Sequence, residues 1–226
     1  MSLNAGKSDA ELGYQIHNHL IMKGVETPML ADAVSQRQFN LPQIEQKFAE
    51  ILDLLGMDRR DDSIEETPKR LAKMYAMELM GGMDYLHFPK CTTVDNKMQY
   101  DEMVLERNIT VKSLCEHHLV PIVGKAHIAY IPGKKVVGLS KLNRVVEFFS
   151  RRPQIQERLT EQVYYTLQYL LETDDIAVVV EGVHLCVSHR GVNDNTSSTV
   201  TSKLGGCFKE DPAVRAEFMR LYKNGG

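Results

Sequence analysis

The hydrophobic rhythm of the chain changes along its length, and the changes outline its elements. Over residues 1–40 polar and apolar positions mix without one clear period. Residues 11–23 read as a short helix closed by Gly24, and 26–40 as an irregular arm. From Leu41 the pattern sharpens. Ile44, Phe48, Ile51, Leu52 and Leu55 recur at the spacing of one helix face, with Gly56 as the stop. A second helix starts with Thr67 as N-cap and Pro68 in the first turn, where proline's missing N–H costs nothing. It turns Leu71, Met74, Tyr75 and Leu79 inward and ends at Gly81-Gly82.

After Pro89 the period becomes two. Met103 and Leu105, then Ile109 and Val111, alternate with polar neighbours, as on a half-buried strand. Ala126, Ile128 and Tyr130 repeat the alternation before the turn signal Pro132-Gly133. Two helical stripes follow, Leu142, Val145, Val146, Phe149 and then Ile155, Leu159, Val163, Leu167, Leu170, separated by Pro153. The strand rhythm returns at Ile176, Val178 and Val180 and is expected to run on through His184 and Cys186. A Ser/Thr-rich stretch (196–202), Gly205-Gly206 and a polar helical tail close the chain, with no internal repeat. This order predicts an α+β fold with an antiparallel sheet.

Composition narrows the class. With 226 residues, 43% apolar and 25% charged, the chain can bury a sizeable core without disulfides. Its four cysteines are widely and irregularly spaced, which fits a reducing cytosol and a cytoplasmic protein. No stretch approaches the roughly 18 apolar residues of a membrane span. Residues 1–11 lack a charged-then-apolar leader, so no signal peptide and no membrane partner are expected. A net charge of −3 argues against nucleic acid as partner, but not against an anionic small ligand met by local cations.

The chemistry concentrates in two clusters, Cys115-Glu116-His117-His118 and His184-Leu185-Cys186. Thiolate and neutral imidazole are the ligands zinc prefers. Cys115 and His118 are three apart and reach one metal from a single turn, while Cys186 lies 186 − 115 = 71 residues further on. On a continuous strand His184 and Cys186 would share a face. Three protein ligands leave a coordination position for water, as catalytic zinc requires. His117 can supply a fourth ligand, however, so spacing alone leaves structural and catalytic zinc both open.

These residues resemble the GTP cyclohydrolase I family, and the likeness extends to residues 66–73 (ETPKRLAK), 138–144 (GLSKLNR), 152–159 (RPQIQERL) and 184–186 (HLC). It spans about residues 40 to 222. The resemblance implies a tunnelling fold, a four-stranded antiparallel sheet backed by two antiparallel helices with an N-terminal helical extension. It implies an arm and helical region over 1–90 and a catalytic domain over 91–226. It also implies a toroidal homodecamer of two pentamers, with active sites at subunit interfaces.

The implied reaction is that of a zinc-dependent hydrolase, turning GTP and water into formate and 7,8-dihydroneopterin triphosphate, the first step of pterin and folate biosynthesis. The implied Zn2+ ligands are Cys115, His118 and Cys186, with His117 and His184 as acid–base groups. Glu157 matches the guanine anchor and Gln156 a second base contact. Arg70, Lys73, Lys141, Arg144 and Arg190 match phosphate positions, and Ser140 a ribose or phosphate contact. Cys91 and Cys207 are read as spectators. The rivals are a pyruvoyl-tetrahydropterin synthase-like lyase, a deazaguanine nitrile reductase, and a non-catalytic zinc-stabilised module that binds purine nucleotides without releasing formate.

Overall fold

The structure, a computed structural model, describes residues 5–30 and 39–223, so much of the expected arm lies outside the described residues. Helix α1 (Ala10–Met22) begins where the Asp9 carboxylate accepts from the Leu12 N–H at 3.0 Å. It closes at Gly24, whose φ of +70° few other residues adopt cheaply. Asn40 caps α2 (Leu41–Leu54) in the same way, accepting from the Gln43 N–H. In α3 (Thr67–Lys73) the cap moves one residue: Glu66 holds the N-cap position without a side-chain bond, and Thr67 is already helical. The helix then widens into a π-helical turn, Met74–Leu79. Gly82 follows, packed so closely that a Cβ would sit 1.9 Å from the Phe148 carbonyl oxygen.

The strands are β1 (Thr93–Asp95), β2 (Val104–Cys115), β3 (Pro121–Tyr130) and β4 (Lys135–Val137), followed by α4 (Leu139–Ser150), β5 (Pro153–Gln154) and α5 (Gln156–Leu171). Then come β6 (Ile176–His184), α6 (Leu185–Ser188), β7 (Thr199–Leu204), α7 (Gly206–Glu210) and α8 (Pro212–Lys223). The main sheet runs β5-β2-β3-β6-β7. Four of its strands are antiparallel, as expected. The fifth, β5, is a two-residue edge parallel to β2, pairing Leu114 with Pro153 and Cys115 with Gln154.

Strand alternation sends Ile109, Val111, Ala126, Ile128, Val178 and Val180 into one core with Leu142, Val145, Val146 and Phe149 of α4 and Leu159, Val163 and Leu167 of α5. Each such large side chain contributes about 1.5–3 kcal/mol by leaving water. Ile16 and Leu20 of α1 join this core. Ala129, Ala177 and Val179 point to the opposite face, where Phe208 of α7 and Phe218 of α8 cover them. The polar-looking tail therefore docks through two aromatic rings.

Beneath that tail lies His127, 4% exposed, with the Tyr222 ring 5.1 Å away and no partner for Nδ1. Burial lowers its pKa, Glu181 opposes that shift, and Lys125 and Arg107 reinforce it. Above about pH 6.5 the ring is neutral folded or unfolded, so it adds no pH dependence there. As pH falls below that value the unfolded chain binds the proton first, and stability drops. Thermal melts from pH 7 to 5 are expected to fall less steeply in His127→Gln than in the unmodified chain. Equal slopes would remove His127 from this role.

Candidate metal and substrate site

Strand β2 ends at Cys115, and the next residues form a tight reversal into β3. The Cys115 N–H donates to the Val120 carbonyl and the Leu119 N–H to the Cys115 carbonyl, both at 2.8 Å. Leu119 sits in the left-handed region at φ +53°, which a branched side chain takes only where surrounding bonds impose it. The Glu116 N–H donates to Gln154 of β5 at 3.0 Å, so the small edge strand clamps the turn. On the other side β3 pairs with β6 so that Ile122 faces His184.

The strand stops at His184 and the chain becomes helical in α6, which corrects the expected shared face of His184 and Cys186. The helical turn carries Cys186 toward Cys115, while the His184 ring turns to α5. Ligand atoms of Cys115, His118 and Cys186 all lie within 4.8 Å of one another. Cys115 is 5% exposed. Its Sγ stands 3.8 Å from His118 Nδ1, close to the roughly 3.6 Å that tetrahedral zinc sets between a sulfur and a nitrogen ligand. Burial, then the neighbouring Cys115 thiol, push the Cys186 thiol up, the cost of crowding two sulfurs that a cation would repay. Two soft thiols and an imidazole fit a metal ion.

His117 is outside this group of three, though its Nδ1 lies 3.8 Å from Cys115 Sγ. Arg190 Nη1 donates to His118 Nε2 at 2.7 Å. That contact needs a bare Nε2, whereas a ligand bond through Nδ1 puts the ring proton on Nε2. A metal bound at Nδ1 would therefore free Arg190. Gln156 is 1% exposed and its carboxamide turns inward, meeting His184 Nε2 at 2.8 Å. Glu157, the next residue, is exposed and close enough for its charge to raise the pKa of His184, against a larger lowering by burial.

Other expected residues lie apart. Ser140, Lys141 and Arg144 open α4, and Arg70 and Lys73 sit exposed on α3. Among the described residues no side-chain hydrogen bond or ion pair joins these five to the metal group. Cys91 and Cys207 are outside it too. Burial pushes their thiols up to about 12 and about 11, so both stay protonated.

Three contacts had no sequence signal. Arg158 forks onto Glu116, with Nη1 at 2.6 Å, tying the metal turn to the first turn of α5. The Tyr75 hydroxyl, in the π-helical turn, donates to the Leu119 carbonyl at 3.4 Å. Thr201 of β7 reaches Gln156. Glu116→Gln is expected to weaken metal affinity about 10-fold, as loss of a ligand-orienting partner does, measured by chelator competition. Unchanged affinity would show that the fork does not hold the turn.

The GTP cyclohydrolase I family pattern matches residues 44–223. The chain belongs to this family. GTP cyclohydrolase 1 of Shewanella baltica (strain OS185) is 52% identical over 214 residues, covering 95% of this chain and 99% of the relative. The enzyme of the same name from Shewanella sp. (strain W3-18-1) is 53% identical over 210 residues, 93% and 98% of the two chains. That of Aliivibrio salmonicida (strain LFI1238) is 52% identical over 212 residues, 94% and 97%. Among solved structures, dihydroneopterin aldolase from Burkholderia thailendensis bound to guanine aligns with TM-score 0.32 and 15% identity, over 49% of this chain and 97% of that one. Family membership stands on the sequence matches.

Proposed function

We propose that this chain is a GTP cyclohydrolase I, converting GTP and water to formate and 7,8-dihydroneopterin triphosphate at the head of pterin and folate synthesis. One observation carries the reading: in a member of this family, two thiols and an imidazole meet, with His117 3.8 Å from one of the thiols. Cys115, His118 and Cys186 would hold zinc, which would supply a Lewis acid able to bring the pKa of water down to about 7.

The remaining work falls to the chain. Guanine offers its N1–H and exocyclic amine as adjacent donors, and the exposed Glu157 carboxylate can accept both. The same carboxylate rejects adenine, which lacks that donor pair. His117 and His184 move protons at the imidazole and ribose atoms, since histidine exchanges protons near neutral pH. Arg190, once free of His118, receives phosphate with Lys141, Arg144, Arg70 and Lys73, and Ser140 contacts ribose or phosphate. Arginine forks match paired phosphate oxygens and lysine adds point charge.

The scatter of those cations over α3 and α4 supports a site completed between subunits. So does the apolar surface of the N-terminal helices, where Leu54 and Leu55 are 88% and 72% exposed. We place the chain in a homodecamer of two pentamers, in the cytoplasm. No described helix is long and apolar enough to cross a membrane, and the four cysteines are free.

Incubation of the zinc-loaded protein with GTP is expected to release formate and the fluorescent pterin in equal amounts, with ATP untouched. Tight nucleotide binding without formate would instead make the chain a binding module. Sedimentation should give a ten-chain particle, and a stable monomer at assay concentration would contradict the shared site.

A further inference from the structure

Gln156 matches a base contact by resemblance, yet its side chain is buried and spoken for. Its Nε2 lies 3.0 Å from the Val180 carbonyl oxygen, 2.9 Å from that of Thr199 and 3.2 Å from Thr201 Oγ1. Carbonyl oxygens only accept, so the amide nitrogen must face them, and the flip of the carboxamide is fixed by chemistry. The hydroxyls close the same circuit. Thr160 Oγ1 donates to the Gln156 backbone carbonyl at 2.9 Å, so across the 2.7 Å contact between the two threonine hydroxyls Thr201 is the donor and Thr160 the acceptor. Thr201 is then left to accept from Gln156, sharing one of the two amide hydrogens with a carbonyl at the longer 3.2 Å. Every direction in the network agrees.

With the nitrogen committed, Oε1 points at His184 Nε2, 2.8 Å away. An amide oxygen cannot donate, so that ring nitrogen must carry a hydrogen. Space for the carboxamide comes from Gly182, where a Cβ would stand 2.6 Å from Oε1.

We propose that Gln156 is a positioning residue, held by Val180, Thr199 and Thr201, that fixes His184 in the Nε2–H tautomer and aims its bare Nδ1 at the substrate. Among the described residues no hydrogen bond is made to Nδ1, so it is the ring atom left for proton exchange with GTP. This also gives the Ser/Thr-rich stretch a task, since β7 supplies two of the three groups that lock the amide. The role of Nδ1 rests on the cyclohydrolase reading, whereas the position of the proton does not.

The test uses the zinc-loaded protein with 15N-histidine, the His184 signals being assigned by their loss in His184→Asn. The unmodified protein should show His184 protonated on Nε2, with that hydrogen exchanging slowly. Gln156→Met and Gly182→Ala, one removing the acceptor and the other displacing it, should both speed the exchange and leave bound zinc unchanged. Both should lower kcat for GTP about 10- to 100-fold while KM stays within about 3-fold. A proton on Nδ1 in the unmodified protein overturns the proposal. So does a raised KM with kcat kept in Gln156→Met, which would make the amide a base contact. Full activity in Gly182→Ala, or metal loss in both variants, would do the same. If the unmodified protein releases no formate, the reaction is wrong, and the 15N spectrum still decides the tautomer.

Discussion

Cys115→Ser is expected to empty the metal site and lower formate release by at least about 10³-fold, the scale of losing a group on which the chemistry depends. The position allows no substitute. Cys115 is buried at the end of β2, held by its own N–H to Val120 and by the parallel edge pair with Gln154. Serine fits that space, so the fold should survive and metal content alone should change. A hydroxyl does not ionise near neutral pH and binds zinc poorly, leaving one thiol and one imidazole. Cys91→Ser and Cys207→Ser should keep both metal and activity, because their thiols stay protonated outside the cluster. Metal retained in Cys115→Ser and lost in Cys91→Ser would mean that the ligand set is wrong. Elemental analysis of the purified variants reads this directly.

Arg152→Ala is expected to cost about 3–5 kcal/mol, a large part of the 5–15 kcal/mol that holds a typical fold together. The guanidinium is fully buried, and among the described residues no carboxylate pairs with it. Its Nη1 donates to the Thr27 hydroxyl at 3.0 Å and the Tyr85 hydroxyl at 3.1 Å, and its Nη2 to the Gly82 carbonyl. The rings of Tyr85, Phe148 and Phe149 surround it at 4.8–5.1 Å. Dipoles and aromatic faces thus replace a counter-ion. Alanine leaves a cavity in this cage and strands the Gly82 carbonyl. Methionine fills most of the volume and brings no charge to desolvate, so Arg152→Met should lose distinctly less.

The damage should reach the metal site as well. The Arg152 carbonyl accepts from Ser113 at 3.2 Å, and Gln154, two residues on, holds the Glu116 N–H. Urea denaturation of both variants, with metal content, tests this. A loss below about 1 kcal/mol for Arg152→Ala would show that the cage is not a keystone.

What the sequence revealed follows from which forces leave a periodic trace. The alternation at Ile109, Val111, Ala126, Ile128, Val178 and Val180 marks strands because one face of the sheet meets α4 and α5. Strand β7 left no such trace. Of its six residues only Val200 and Leu204 are apolar, both on the face away from Thr201, whose hydroxyl bonds Gln156. Strand β5 is too short for any period. The group of two thiols and an imidazole was legible from residue type, but the placement of Cys186 was not, since no change of period signals that β6 turns helical after His184. By residue type Arg158 and Gln156 are ordinary polar side chains for the first turn of a helix, and no periodicity marks either one. Only the fold shows one forked onto Glu116 and the other buried against His184.

The most direct test of the central claim is a metal analysis and a formate assay on one preparation of the active protein. The account predicts about one zinc per chain, bound by two thiolates and one imidazole, and formate equal to the pterin formed. Full GTP turnover by protein containing no transition metal would contradict it.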